Sequence, residues 1–207
     1  RTAGTCWARA QVGRLYSGEE YTLMLDSHHR FAPGWDTTLK DILKGLPHKS
    51  FLSTYLPSYN PETEEKTMQT WTMEIDEKYS LDIPLFKPMI KDLTEPYPQP
   101  WFSGHFFFGP GEVCQEVPYD PFLYFHGEEI TMAMRLATKG YKGYAPHVPV
   151  IWHEYTRKGR TKHWDDDKNW WMLDKAAKDR CRSILAGEMG DVDPELFNSL
   201  ISKYVAN

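Results

Sequence analysis

The segment YTLMLDSHHRFAPGWD, residues 21–36, joins an apolar run to a cluster of acidic, imidazole and guanidinium groups. The run 21–25 has the continuous apolar pattern of a strand that is covered on both faces of a sheet. The residues that follow it directly are Asp26, Ser27, His28, His29 and Arg30. Because ligands bind at the carboxyl ends of strands in open α/β sheets, we expect this cluster to belong to a binding site.

Helical and strand-like patterns alternate along the rest of the chain. Apolar residues at helical spacing predict helices at residues 5–16, 35–46, 128–139, 168–186 and 194–205. Strands are predicted at residues 50–56, 70–75, 101–110 and 147–153, and the five prolines within residues 84–100 predict an irregular segment there. Asp193 is expected to cap the last helix. The alternation predicts a layered α/β domain.

Composition and charge restrict the class of protein. The 207 residues suffice for one large or two small domains, and the net charge of -5 argues against nucleic-acid binding. No apolar run approaches the ~18 residues that a membrane span requires. Cys6, Cys114 and Cys181 form no CxxC pair, which disfavours a zinc knuckle or a disulfide framework. Unpaired thiols are typical of a reducing compartment, so we expect a cytoplasmic location.

Two strand ends carry groups that suit a metal ion. Asp26 and His28 are two residues apart, so in extended backbone their side chains point the same way. His153 follows the apolar run VPVIW, residues 148–152. One carboxylate and two imidazoles suit a first-row divalent cation, Mn2+ included. Each residue also has a simpler interpretation, since an aspartate after a strand often forms a turn and a histidine is often a structural polar residue.

Four blocks of the sequence resemble a known enzyme group. LDSHHRFAPGWD resembles the DxH motif of retaining sugar-nucleotide glycosyltransferases with the GT-A fold. The later blocks of these enzymes are similar, in the same order, to WFSGHFFFGPGEVCQEVPYDPFLYFHGEE, RLATKGY and VIWHEYTR. The chain most resembles the family that transfers N-acetylglucosamine from UDP-GlcNAc to protein hydroxyls, and the polypeptide N-acetylgalactosaminyltransferases are more distant relatives.

The resemblance implies an architecture. It covers about residues 1–160, for which it implies an α/β GT-A catalytic region with a mixed, Rossmann-like sheet flanked by helices. Residues 161–207 are then expected to form a helical C-terminal extension. The family's first nucleotide-binding strand would precede Arg1, so we expect the catalytic region to be truncated at its N terminus.

The resemblance also implies roles for individual residues. Asp26, His28 and His153 match the ligands that hold Mn2+ against the UDP diphosphate. Glu128 matches the acid that accepts hydrogen bonds from hydroxyls of the donor sugar, so Asp26 and Glu128 are the expected catalytic residues. Gly104 matches a small residue that lets the sugar approach the backbone. In the related retaining enzymes the leaving phosphate oxygen takes the proton of the acceptor hydroxyl, and no protein base is assigned.

Four more side chains are expected to contact the donor. Glu129 follows Glu128 in the sequence and His105 follows Gly104, so both are expected to contact the donor. Arg9 is also expected to bind the donor. Arg157 lies one place off the spacing of the galactosaminyl relatives and could contact the phosphates. The polar segment 153–164 could act as a lid over the diphosphate or could be a surface loop.

These inferences predict a Mn2+-dependent retaining transferase. Its donor would be UDP-GlcNAc, and its acceptor a serine, threonine or hydroxyproline hydroxyl of a protein or peptide. Two alternatives remain open at this stage. The chain could be a non-catalytic module that binds a sugar nucleotide or a carbohydrate, or a metal hydrolase in which Asp26, His28 and His153 hold an ion that activates water.

Overall fold

The computed structural model describes residues 3–156 and 167–205. The strands are β1 (Tyr21–Leu25), β2 (His29–Phe31), β3 (Ser50–Ser53), β4 (Trp71–Ile75), β5 (Phe86–Ile90), β6 (Tyr97–Pro98), β7 (Phe106–Pro110), β8 (Lys142–Ala145) and β9 (Ile151–His153). The helices are α1 (Thr5–Gly13), α2 (Trp35–Lys44), α3 (Val113–Glu116), α4 (Glu128–Thr138), α5 (Trp170–Leu185) and α6 (Pro194–Val205).

The main sheet is mixed and has the strand order β1-β7-β3-β8-β6. Strands β3 and β8 are parallel, whereas the other neighbouring pairs are antiparallel. Two smaller sheets pair β2 with β9 and β4 with β5. The elements thus form the layered α/β arrangement that the alternating sequence pattern predicts.

The aromatic side chains of β7 pack on both faces of the main sheet. Phe107 packs into the larger apolar core, which also contains much of α4 and α5. Phe106 and Phe108 point to the opposite face and pack with Leu39 and Leu43 of α2. Successive strand residues face opposite sides of a sheet, so one run of phenylalanines serves both layers.

The structure corrects the prediction for residues 84–100. This proline-rich segment is not irregular throughout, because it contains β5 and β6. Strand β5 includes Pro88, and within the described part of the chain it pairs with β4 alone. An edge strand tolerates a proline because the missing N–H group need not face a neighbouring strand. Strands β2 and β8 went unpredicted, since three or four residues are too few to show a periodic pattern.

The described part of the C-terminal segment packs against the rest of the chain. Helices α5 and α6 both contact α4, and Ala177, Cys181 and Ile184 are fully buried in the larger core. An ion pair between Arg135 and Asp191, with 2.6 Å between Nε and Oδ2, joins α4 to the turn before α6. None of the described helices has both the length and the apolar composition needed to cross a bilayer.

The predicted cap of α6 is present in the structure. Asp193 Oδ1 accepts hydrogen bonds from the backbone N–H groups of Glu195 and Leu196, at 2.9 and 3.3 Å. Replacing Asp193 with alanine leaves these donors without their side-chain acceptor, so we expect the free energy of unfolding to fall by about 1 kcal/mol. Urea denaturation of both proteins measures this loss, and identical midpoints would contradict the role of the cap.

Candidate functional site

Strand pairing brings the two predicted metal-binding segments together. β1 ends at Leu25, a short turn carries Asp26 and His28, and β2 begins at His29. β2 runs antiparallel to β9, with His29 directly opposite His153. The N–H group of Glu154 also donates a hydrogen bond to the His28 carbonyl oxygen at 3.1 Å. The end of β9 is thereby fixed beside the turn that follows β1.

Asp26, His28 and His153 form a compact set of possible ligands. One ligand atom from each residue lies within 4.8 Å of the other two. Asp26 Oδ2 is 3.9 Å from His28 Nε2 and 3.7 Å from His153 Nε2. His153 is only 7% exposed, and neither of its ring nitrogens makes a hydrogen bond within residues 3–156 and 167–205. A buried imidazole with unsatisfied nitrogens beside a carboxylate fits a divalent cation.

The surroundings of Asp26 favour its ionised form. Burial acts to raise the pKa of Asp26, but the facing His153 imidazole and the Arg9 guanidinium outweigh this effect and lower the pKa to about 2. Arg9 Nη2 lies 2.9 Å from Asp26 Oδ1. The other carboxylate oxygen, Oδ2, is the one that faces the two imidazoles. Asp26 therefore offers a negatively charged oxygen to a metal ion at neutral pH.

Arg9 connects the two predicted catalytic carboxylates. From α1 its guanidinium forms ion pairs with Asp26 and with Glu128 Oε1. It also approaches the hydroxyl oxygen of Tyr119 at 3.5 Å. Glu128 is only 5% exposed, and burial raises its pKa, while the charge of Arg9 acts in the opposite direction. The guanidinium is thus the main group that stabilises a negative charge on Glu128.

Gly104 lies directly against this ion pair. A Cβ atom at this position would lie 3.3 Å from Arg9 Nη1 and 3.5 Å from Glu128 Oε1. A side chain at position 104 would therefore crowd the guanidinium and the carboxylate, and glycine avoids that contact. Glu129, next to Glu128, accepts a hydrogen bond from the Gly104 N–H group at 2.8 Å. Tyr55 donates a hydrogen bond from its hydroxyl to the other Glu129 oxygen at 2.6 Å.

His105 packs against His153, which is one of the three predicted metal ligands. Its Nε2 accepts a hydrogen bond from the Leu56 N–H group at 3.1 Å, which requires the neutral ring with the proton on Nδ1. The ring stacks on those of His153 and Tyr55, with centroid distances of 4.4 and 5.2 Å. Burial, and after it the neighbouring His153, lower the pKa of His105 well below its usual value. These contacts suit a residue that supports His153.

His29 is also held in one orientation. Its Nδ1 lies 3.0 Å from the Asp26 carbonyl oxygen and can only donate to it, so the turn between Asp26 and His28 is tied to β2. Burial and the neighbouring His153 lower the pKa of His29 to about 4. The ring is therefore neutral at physiological pH.

Sequence reasoning predicted no hydrogen bond from the tyrosines around the site, and it proposed one residue that the structure does not describe. Tyr55 contacts Glu129, and Tyr119 contacts Arg9. No local signal distinguishes a tyrosine that binds a buried carboxylate from one that fills a core. Arg157 and the segment 157–164 of the possible lid lie outside the described residues.

The chain is similar to known proteins in its sequence pattern and in its fold. A family model described as "Glycosyltransferase (GlcNAc)" matches residues 1–203. Among solved structures, the fold is similar to the "Crystal structure of GalNAc-T7 with UDP, GalNAc and Mn2+", with a TM-score of 0.69 and 19% sequence identity. The similarity covers 90% of this chain and 36% of that chain. A comparison with curated proteins gave no match. The structural similarity confirms the GT-A fold that the sequence predicts.

Proposed function

Because the chain belongs to the GlcNAc glycosyltransferase family, we propose that it transfers N-acetylglucosamine from UDP-GlcNAc to a protein hydroxyl. The acceptor would be a serine, threonine or hydroxyproline side chain, and the reaction would depend on Mn2+ and retain the anomeric configuration. The observation that carries this proposal is the set of Asp26, His28 and His153, whose ligand atoms lie within 4.8 Å of one another.

In this proposal Asp26, His28 and His153 hold the divalent cation. The carboxylate contributes one negative charge, and the two neutral imidazoles contribute lone pairs. When bound, the metal supplies Lewis-acid stabilisation of the charge that develops on the leaving diphosphate. The buried nitrogens of His153 have no hydrogen-bond partner among the described residues, and this supports the assignment because such atoms normally have one.

Glu128 is proposed to bind the donor sugar. The guanidinium of Arg9 stabilises the Glu128 carboxylate, which can then accept hydrogen bonds from sugar hydroxyls. The same guanidinium contacts Asp26, so it sets the spacing between the sugar-binding carboxylate and the metal-binding one. Gly104 places no side chain against Glu128 and Arg9, and we propose that the sugar approaches the backbone at this position. Arg157 is retained as a proposed contact to the diphosphate.

The proposed reaction is tested by measuring UDP release from UDP-GlcNAc with Mn2+ and with EDTA. UDP-GalNAc and UDP-glucose serve as parallel donors, and short serine- or threonine-containing peptides serve as acceptors. We expect release from UDP-GlcNAc in Mn2+ and a loss of at least about 100-fold in EDTA. Binding of Mn2+ and UDP without sugar release would instead indicate a binding module. Tightly held zinc with no affinity for UDP would indicate a metal hydrolase.

A cytoplasmic location is part of the proposal. All three cysteines are free thiols, and Cys6 and Cys181 are buried. Free buried thiols are compatible with a reducing compartment. Fractionation of the cells that make the protein, followed by immunodetection, would test the location directly.

A further inference from the structure

Glu129 makes two hydrogen bonds that join three separate segments of the chain. It lies in the first turn of α4, and one carboxylate oxygen accepts from the Gly104 N–H group at 2.8 Å. The other oxygen accepts from the Tyr55 hydroxyl at 2.6 Å. The first contact reaches the turn before β7, and the second reaches the segment after β3. A carboxylate held by two donors fixes the relative positions of all three segments.

Each segment that Glu129 holds carries a part of the proposed site. Gly104 lies against the Glu128–Arg9 ion pair, so any shift of its turn changes the space beside Glu128. Tyr55 stacks on His105, and His105 stacks on His153. The two hydrogen bonds of Glu129 therefore lead to the proposed sugar pocket on one side and to a proposed metal ligand on the other.

We propose that Glu129 is a positioning residue that acts on the donor sugar through Gly104, and this inference rests on the proposed donor-binding role of Gly104 and Glu128. Both Glu129 oxygens already accept hydrogen bonds from Gly104 and Tyr55, whereas Glu128 pairs with Arg9 beside Gly104, the position proposed to face the sugar. The adjacent glutamates thus have separate tasks: Glu128 contacts the sugar, and Glu129 holds the backbone wall against which the sugar binds.

Three variants separate positioning from direct contact. Glu129→Ala removes both hydrogen bonds. Glu129→Gln keeps an acceptor for Gly104 and can donate its amide hydrogen to the Tyr55 oxygen, so it should preserve the geometry. Tyr55→Phe removes one donor and leaves Glu129 in place. The chain offers a matched control in Tyr141→Phe, because the Tyr141 hydroxyl donates to Glu116 Oε2 at 3.0 Å at the opposite end of the main sheet.

The first readout does not require nucleotide or activity. Amide hydrogen exchange of Gly104, followed by NMR, reports on the hydrogen bond to Glu129. We expect exchange to be at least about tenfold faster in Glu129→Ala and nearly unchanged in Glu129→Gln and in Tyr141→Phe. Unchanged protection of Gly104 in Glu129→Ala would overturn the proposal, even if the chain has no transferase activity.

The second readout is the gain in affinity that the sugar contributes, taken as the ratio of the Kd for UDP to the Kd for UDP-GlcNAc in Mn2+. We expect Glu129→Ala to lower this ratio about tenfold, with Tyr55→Phe intermediate and Glu129→Gln within about threefold of the unmodified protein. The Kd for UDP itself should change less than this ratio, because Glu129 reaches the proposed metal ligand His153 through the stacked rings of Tyr55 and His105, whereas it bonds directly to Gly104. An equal loss in Glu129→Gln and Glu129→Ala, with no effect of Tyr55→Phe, would show direct contact with the donor and overturn the proposal. A failure of the proposed function has a different signature, namely that the unmodified chain binds no UDP.

Discussion

Replacing Asp26 with asparagine is expected to abolish Mn2+-dependent binding of UDP while the protein stays folded. The Oδ2 atom of Asp26 lies 3.9 Å from His28 Nε2 and 3.7 Å from His153 Nε2, so it would provide the only negative charge among the proposed ligands. Asparagine keeps the shape of the side chain and removes that charge. Residues that merely orient metal ligands affect metal affinity by about 10–100-fold, so the loss of a ligand should exceed about 100-fold.

Calorimetric titration with UDP, in Mn2+ and in EDTA, measures this effect. Thermal unfolding of the variant checks that the fold is retained. Asp41→Asn is a suitable control, because it makes the same chemical change at an exposed position of α2. His153→Ala tests the same site from β9 and should give the same loss. An unchanged Kd for UDP in Mn2+ in Asp26→Asn would place the metal site elsewhere.

Replacing Glu128 with leucine is expected to destabilise the fold strongly. The change leaves the guanidinium of Arg9, whose side chain is 13% exposed, without its most buried partner. Removing one member of a buried ion pair costs about 3–5 kcal/mol because the remaining charge stays desolvated. For a protein of this size, that loss corresponds to a decrease in Tm of roughly 6–20 °C. Glu128→Gln should be milder, because the amide oxygen still accepts a hydrogen bond from Arg9.

A double-mutant cycle identifies the source of this loss. Arg9→Leu alone should also destabilise the protein, whereas Arg9→Leu combined with Glu128→Leu should cost clearly less than the sum of the two single changes. The exposed ion pair of Arg30 with Glu64 is the matched control, and Glu64→Leu should have a much smaller effect. The measurements are made in EDTA, so that metal binding does not contribute. Additive effects of Arg9→Leu and Glu128→Leu would contradict the coupling.

Local patterns predicted most of the long elements. The apolar spacing of α2 and α4 and the continuous apolar run of β1 each correspond to an element within two residues of its predicted bounds. These features depend on neighbours along the chain, because helix and strand periodicity decide which side chains share a face. Local patterns did not predict the two strands within residues 84–100. A high proline content favours irregular backbone, and prolines are tolerated in a strand mainly where that strand lies at an edge.

Some roles of the site residues were predicted from the sequence, and others depend on contacts seen in the structure. Asp26 and His28 stood out because charged groups follow an apolar strand, and the ordered blocks linked them to His153. The same reasoning placed Glu129 and His105 in contact with the donor, and these two assignments remain predictions. The contacts that the structure shows, from Glu129 to Gly104 and from His105 to His153, support structural tasks for both residues.

The order and spacing of residues along this chain were sufficient to predict the α/β class and the principal helices. They also identified the aspartate and the histidine that follow β1 as candidate metal ligands. Folding alone brought His153 opposite His29, and it alone placed Arg9 between Asp26 and Glu128. Arg9 and Glu128 are separated by 119 positions. No periodic pattern extends over such a separation, because long-range proximity arises from strand pairing and from helices packing on a sheet. The electrostatic character of the site is therefore a property of the folded chain.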